Sequence, residues 1–504
     1  METYIAGQVR VLAAEGWVVH MACGSLPAAE FLPSGLSSLT DGLSLGPNST
    51  AAELVAVVET LRAIIRERGV THVHAHPFTS LFPGMLAAAL EGVPFMLTLH
   101  GPASLSTGYG AFNDFLFAAL VLPSASTVIA VSEEVGDLAA PYVENEQLCI
   151  QCNAVNFGQF RHADFALTES APWLVVSRLD AVKIHGIRQF VNYANVLGLG
   201  RVDIVGDGPG RAVLREWLEE DGVVQTARFL GARSDVHDLM RMSAGVAGMG
   251  RALLEGVACA KPVCMVGYDG VKGLIDTELF RQAAYANFSG RNLPNRSLEE
   301  LAQQFNRGSL QTTELRAIAV QNYSEDMVWS EFSKRISSFT RPKSRLIRAI
   351  YSVLQSEEVV SSRMAYLASE DLFYRIGRVL HSAAFFSPTI AASYAFYESR
   401  MHVLRLAKWQ EESQAALRTS EAMLREIQAG LAQADAHNAE EMDRISDELQ
   451  RVEEQGKHHA DELAMAIKAV ENAVGEIDTR LKEKPRNWSQ RIFDAMRSRS
   501  GRSQ

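Results

Sequence analysis

The feature that most constrains this chain is an alternation of short apolar runs with helical stretches that passes once and then starts again. Apolar runs at 17–22, 70–75, 95–100 and 127–131 alternate with helical patterns at 51–68 and 81–90. The order restarts at 173–176 and continues through runs at 202–205, 227–230, 244–247 and 262–266, which the reading makes the last strands. Helical stretches at 186–197, 211–220 and 236–242 separate them. A parallel connection needs a crossover, usually a helix, so each series predicts a parallel sheet of βαβ units. Two series predict an α/β protein with two Rossmann-like domains facing across a cleft, with ligand at the carboxyl ends of the strands. Helices at 298–305 and 326–337 are expected to close this region.

Composition narrows the function classes. The 504 residues carry a formal net charge of −11, which leaves no basic footprint for nucleic acid. The start, METYIAGQVRVLAAEGW, has the pattern of an amphipathic helix and not of a secretory leader. The apolar stretch 115–131 is interrupted by Pro123 and is too short to span a bilayer. The stretch 383–397 contains Pro388 and reads as a buried helix hairpin or, alternatively, a membrane contact. An odd count of five cysteines without a leader argues against a disulfide framework. Cys149-Ile-Gln-Cys152 has CxxC spacing but no second pair, so these cysteines read as small strand-and-turn residues.

Past 343 the strand pattern ends. Amphipathic helices are expected at 345–354 and 367–381. From 402 to 482 apolar residues recur in steps of three and four: Leu417, Leu424, Ile427, Leu431, Ala434, Met442, Ile445, Leu449, Val452, and later Leu463 to Leu481. This is a heptad seam, with stutters at Asn438 and Ala460. It predicts a homo-oligomeric coiled coil on the order of 120 Å long at ~1.5 Å per residue, or a long helix packed on the body. The tail Lys482–Gln504 has seven Lys/Arg and two acids, with Trp488, Ile492 and Met496 four apart. It reads as a membrane-surface helix or as the solvated end of the coiled coil. The expected organisation is therefore 1–169, a truncated first Rossmann-like domain; 170–342, the second; 343–401, helical; 402–482, coiled coil; and 483–504, basic tail.

Four stretches could carry chemistry. In Val175-Val-Ser-Arg178-Leu-Asp-Ala-Val-Lys183 a strand ends and a helix begins, which puts Arg178 and Lys183 at the mouth of a sheet. Two cations there suit a pyrophosphate or are ordinary surface charges. Val205-Gly206-Asp-Gly208-Pro-Gly210 follows the next strand with a turn that allows close backbone approach. Gly248-Met-Gly250-Arg251-Ala-Leu-Leu-Glu255 is the most specific stretch. A glycine turn opens a helix whose N-terminus can meet phosphate, and Glu255 can accept two hydroxyls, as a ribose offers. The alternative for Glu255 is a surface pair with Arg251, four residues away. Gly267-Tyr-Asp-Gly-Val-Lys-Gly273 reads as a further ligand loop. In the first half, His100 stands at the tip of Leu97-Thr-Leu-His100-Gly101, facing the cleft or bonded to backbone. His72, His74 and His76 share one face of a strand but offer no fourth ligand, so no metal is expected.

These residues, in order, resemble the retaining glycosyltransferases of family 4, which have the GT-B fold. The resemblance covers 1–339 and rests on Leu-His100-Gly101, Val-Ser132-Glu, Val-Ser-Arg178-Leu-Asp with Lys183, Val-Gly-Asp-Gly-Pro, and Leu-Leu-Glu255-Gly-Val-Ala-Cys-Ala-Lys-Pro-Val. It implies that His100 contacts the donor sugar, with Gly101 beside it, and that Arg178 and Lys183 hold the diphosphate. It implies that Glu255 binds the ribose, with Arg251, Gly248 and Gly250 near sugar and phosphate and Gly206 and Gly208 lining the donor site. Neither cofactor nor metal is implied beyond the nucleotide sugar itself. The sequence departs from the pattern twice. Ala247 stands where a sugar-contacting Glu is usual, and the first strand with its Gly-Gly loop is missing. The expectation is a cytoplasmic enzyme, or one peripheral at the inner face of the plasma membrane, that moves a sugar to a glycan or lipid-linked acceptor in bacterial surface polysaccharide synthesis. The alternatives are a non-catalytic coiled-coil scaffold with a degenerate transferase domain and, behind it, an epimerase of the same shape, which lacks an evident acid–base pair.

Overall fold

The computed structural model describes residues 2–26, 29, 32–105, 110–162, 170–306, 311–336 and 344–382, with isolated positions between 398 and 457. The chain divides into two compact units, Met1–Phe385 and Phe386–Gln504. Every described position of the second unit is helical. The seam residues of the expected coiled coil, its stutters, the apolar stretch 383–397 and the basic tail lie outside the described residues.

The first unit holds two α/β halves. In the N-terminal half, β1 (Val19–Ala22) and β2 (Leu36–Thr40) pair in parallel as a sheet of their own. Strands β3 (Val73–Ala75), β4 (Phe95–Leu99), β5 (Thr127–Ala130) and β6 (Leu148–Ile150) form a separate parallel sheet in that order. In the C-terminal half, β7 (Trp173–Val176), β8 (Val202–Val205), β9 (Ala227–Gly231), β10 (Gly245–Gly248), β11 (Val263–Val266) and β12 (Val271–Leu274) are ordered β12-β11-β10-β7-β8-β9. All are parallel except β12, which runs antiparallel to β11.

Sequence and structure connect plainly in most elements. The helix Ala51–Glu67 starts at a capping box in which Thr50 and Glu53 bond each other's backbone, worth about 1 kcal/mol. Its apolar stripe Leu54, Val57, Val58 and Ile65 is buried. In the C-terminal half, Phe190, Ile204 and Leu214 belong to one hydrophobic cluster, and Val246, Leu253 and Phe280 to a second.

Three expectations need correction. β10 and β11 are not the last strands, because Val271–Leu274 forms β12. The stretch from Gly267 to Gly273 is therefore not a free ligand loop. Lys272 is buried within it, its Nζ 2.7 Å from Asp269 Oδ1 and 2.9 Å from the carbonyl of Leu293. Third, the helix Glu325–Ile336, expected to close the C-terminal half, packs on the N-terminal helix Glu2–Ala14. Trp329 meets the Tyr4 ring at 4.6 Å, and the Trp17 indole donates to Ser333 Oγ at 2.9 Å. The helices Ser344–Leu354 and Glu370–Ser382 also return to this half, with Phe373 against Phe112 and Phe115 and the Tyr351 hydroxyl on Glu59.

Candidate active site

The residues singled out by sequence lie at the carboxyl ends of strands, where parallel sheets open their loops. After β7, Arg178 projects with its side chain 75% exposed and bonds Asp180 through Nε at 2.9 Å and Nη2 at 2.8 Å. Lys183, half-buried at the start of the helix Ile184–Val196, holds its Nζ 3.7 Å from the same Asp180 oxygen. Two cations thus converge on one acidic oxygen, an arrangement in which a diphosphate could share or replace Asp180. Hydrogen bonding to Asp180 raises the Arg178 pKa, and partial burial lowers that of Lys183.

The glycines after β8 allow the close backbone approach their turn implies, and the chain they approach is the loop that follows β7. A Cβ on Gly206 would lie 1.9 Å from the Ser177 carbonyl oxygen, and one on Gly208 would lie 2.6 Å from that of Leu179. The Leu179 amide donates to Asp207 O at 3.0 Å, and the Gly210 amide donates to Leu179 O at 2.8 Å. The backbone that approaches closely is the Arg178 loop, so Gly206 and Gly208 fix where the two cations stand.

β10 ends at Gly248, whose Cβ position lies 3.4 Å from the Val176 carbonyl and so abuts the Arg178 loop. Gly250 takes φ +60°, a left-handed conformation that glycine allows, and opens the helix Arg251–Ala258. Ala247 lies inside β10, fully buried in the core. The strand runs directly into the glycine turn, so a carboxylate at 247 would meet the core and not a ligand.

Glu255 is 8% exposed, and its Oε1 accepts from Arg251 Nε at 2.7 Å. The surface-pair alternative is half right, since the pair forms but Glu255 is buried. Burial pushes the Glu255 carboxyl above its ordinary value, opposed by the attached guanidinium.

In the N-terminal half His100 follows β4, and its amide donates to Ser104 Oγ at 3.0 Å. Gly101 is extended and leads into the turn Pro102–Ser104. The His100 ring is bonded to a second histidine, its Nε2 3.0 Å from His76 Nδ1. His74 bonds Thr98 Oγ1 at 2.8 Å, while His72 stands apart against Thr71. Withdrawal from water lowers His74 and His100 to about 3, and His76 well below its ordinary value, so all three rings are neutral near pH 7. Among the described residues no group of three or more His, Cys, Asp or Glu is placed to hold a metal. Cys149 and Cys152 are unpaired thiols, with Cys149 Sγ 2.9 Å from Arg335.

Sequence reasoning missed what joins the halves. Tyr4 packs edge-on against His100 at 4.7 Å and against Trp329 at 4.6 Å. One turn before Trp329, Glu325 pairs with Arg10 and lies 3.6 Å from Arg251. Contacts therefore run from His100 through Tyr4 to Trp329, and one turn away on the same helix from Glu325 through Arg251 to Glu255. Arg291 of the C-terminal half bonds Glu134 of the N-terminal half at 2.5 Å, and the Tyr285 hydroxyl donates to Asp137 at 2.9 Å. No local pattern announces such contacts, because the partners lie far apart in the sequence.

Residues 1–153 match the family profile described as a glycosyl transferase 4-like domain. The chain is similar in structure to a glycosyltransferase from Rickettsia africae ESF-5, with 17% identity and a TM-score of 0.50 over 67% of this chain and 94% of that one. It is similar also to HepE from Anabaena, solved with UDP and glucose, with 18% identity and a TM-score of 0.52 over 67% of this chain and 96% of that one. No curated protein sequence matches the chain. The two α/β halves with their helices constitute a GT-B fold.

Proposed function

We propose that the first unit transfers a sugar from a nucleoside-diphosphate sugar to a hydroxyl of a glycan or lipid-linked acceptor, with retention of configuration and without a metal ion. The observation that carries this reading is the pair of partly exposed Arg251 with buried Glu255, opening a helix beside the loop on which Arg178 and Lys183 converge. Glu255 accepts the two ribose hydroxyls. Arg178, Lys183 and the N-terminal amides of the helices Ile184–Val196 and Arg251–Ala258 meet the charge that grows on the diphosphate as the sugar departs. Neutral His100 hydrogen-bonds a sugar hydroxyl without adding charge. Transfer proceeds on one face of the sugar, the departing phosphate taking the acceptor proton. UDP is the first nucleotide to test, because the Anabaena protein of the same fold was solved with it.

Incubation with individual UDP-sugars and no acceptor is expected to release UDP by slow transfer to water. Proton NMR should show the sugar appearing first in the anomeric configuration of the donor. Initial release of the opposite anomer would rule out retention, and absence of UDP release or binding with every donor would favour the scaffold reading.

The second unit, we propose further, associates copies of the chain through the heptad seam at 402–482, at the cytoplasmic side of the cell. Its basic tail is proposed to touch the membrane surface. Among the described residues no helix is long and apolar enough to cross a membrane.

A further inference from the structure

Glu325 occupies an unusual place. It opens the helix Glu325–Ile336 where the chain returns from the C-terminal half to the N-terminal one. Its amide donates to the Val155 carbonyl at 3.1 Å, and the Val155 amide donates to the Tyr323 carbonyl at 2.7 Å. Val155 belongs to the connection that carries the chain forward from β6 to β7. Glu325 is therefore fixed where the two crossings between the halves touch.

Its side chain is 5% exposed, which is costly for a carboxylate unless it is paired. Its partners come from both halves. Arg10, on the helix Glu2–Ala14, forms an ion pair with it. Arg251 brings Nη2 to 3.6 Å of Oε1 while its Nε bonds Glu255. The Arg251 guanidinium is thus held from two sides, by Glu255 on its Nε edge and by Glu325 on an outer nitrogen. The packing leaves little slack. A Cβ on Gly7 would lie 2.5 Å from Glu325 Oε1 and 3.4 Å from Trp329 Nε1, so this helix turn rests directly on the carboxylate.

We propose that Glu325 is a positioning residue for the nucleotide site, orienting Arg251, and through it Glu255, only when the helix Glu2–Ala14 is docked. The inference rests on the reading of Arg251 and Glu255 as donor-binding groups. It goes beyond that reading by making nucleotide affinity in one half depend on an ion pair contributed by the other. Removing Glu325 frees the outer edge of Arg251, and Glu255 loses a partner of fixed direction. Removing Arg10 acts in the same sense, more weakly, because Glu325 keeps Arg251.

The test is a double-mutant cycle between Glu325→Gln and Arg251→Gln, read in the full-length chain by thermal melting without ligand and by titration with UDP. In the ligand-free melts the two substitutions should be coupled, the double variant losing clearly less than the sum of the single losses. With UDP, Glu325→Gln should weaken binding by about tenfold, Arg10→Gln should weaken it less, and Glu325→Asp should restore part of the loss. Additive melting losses, or UDP affinity unchanged in a folded Glu325→Gln protein, would overturn the proposal. Coupled melts in a wild-type chain that binds no UDP would leave the contact intact and contradict the donor-site reading instead. Should Glu325→Gln fail to fold, Arg10→Gln keeps the question open to measurement, and full UDP affinity in that variant would count against the proposal.

Discussion

At Glu255 two requirements conflict. A carboxylate that accepts two ribose hydroxyls must be ionised, yet its burial favours the protonated form and raises its pKa above 4.5. UDP affinity should therefore be full at neutral pH and fall as pH drops through a range higher than that of an exposed carboxylate. Glu255→Gln should bind weakly at every pH and show no such inflection in calorimetric titrations. His100 should contribute no inflection between pH 6 and 7, since its ring stays neutral there. At this scale the sequence was informative about residue identity and less so about contact. The spacing of Arg251 and Glu255 implied a pair, but burial of the carboxylate is set by the sheet beneath. The glycines after β8 were legible as a turn. What they approach, Ser177 and Leu179, depends on strand order, which no local pattern carries. Gly206→Ala should accordingly displace the Arg178 loop and weaken UDP binding.

Among the elements, the βαβ alternation was readable because period and length distinguish buried strands from amphipathic helices. The bounds of β7 and β8 follow directly from their apolar runs. β2 was not legible, being Leu-Ser-Ser-Leu-Thr with every residue partly exposed, and β6 is only three residues long. β12 hides among glycines that resemble a loop. The helix Glu325–Ile336 was seen as a helix but assigned to the wrong half. Its acidic first turn, Glu325 and Asp326, reads as ordinary compensation of the helix dipole. Only the packing shows that Glu325 meets two arginines from distant parts of the chain. Trp329 anchors this helix at 1% exposure, so Trp329→Ala should cost about 3–5 kcal/mol in urea unfolding. A loss below about 1 kcal/mol would mean that the helix is not docked on Tyr4.

For the whole molecule, the enclosed histidines tie stability to pH. Their folded pKa values lie below the ordinary 6.5, so the unfolded chain takes up protons first as pH falls. Stability should be fully present above pH 6.5 and decline below it, by at most about 1.4 kcal/mol per pH unit for each histidine. His74→Phe should flatten that decline in melts between pH 7 and 5. Truncation after residue 400 tests the proposed association of the second unit. Light scattering should show a lower oligomer mass with nucleotide binding retained, and an unchanged mass would remove the coiled coil from the account. The most direct test of the central claim is titration of UDP onto the wild-type chain and onto Glu255→Ala and Lys183→Ala, with melting checked in each. Saturable binding that weakens at least about tenfold in both folded variants is the expected result, and equal affinity in all three proteins would contradict it.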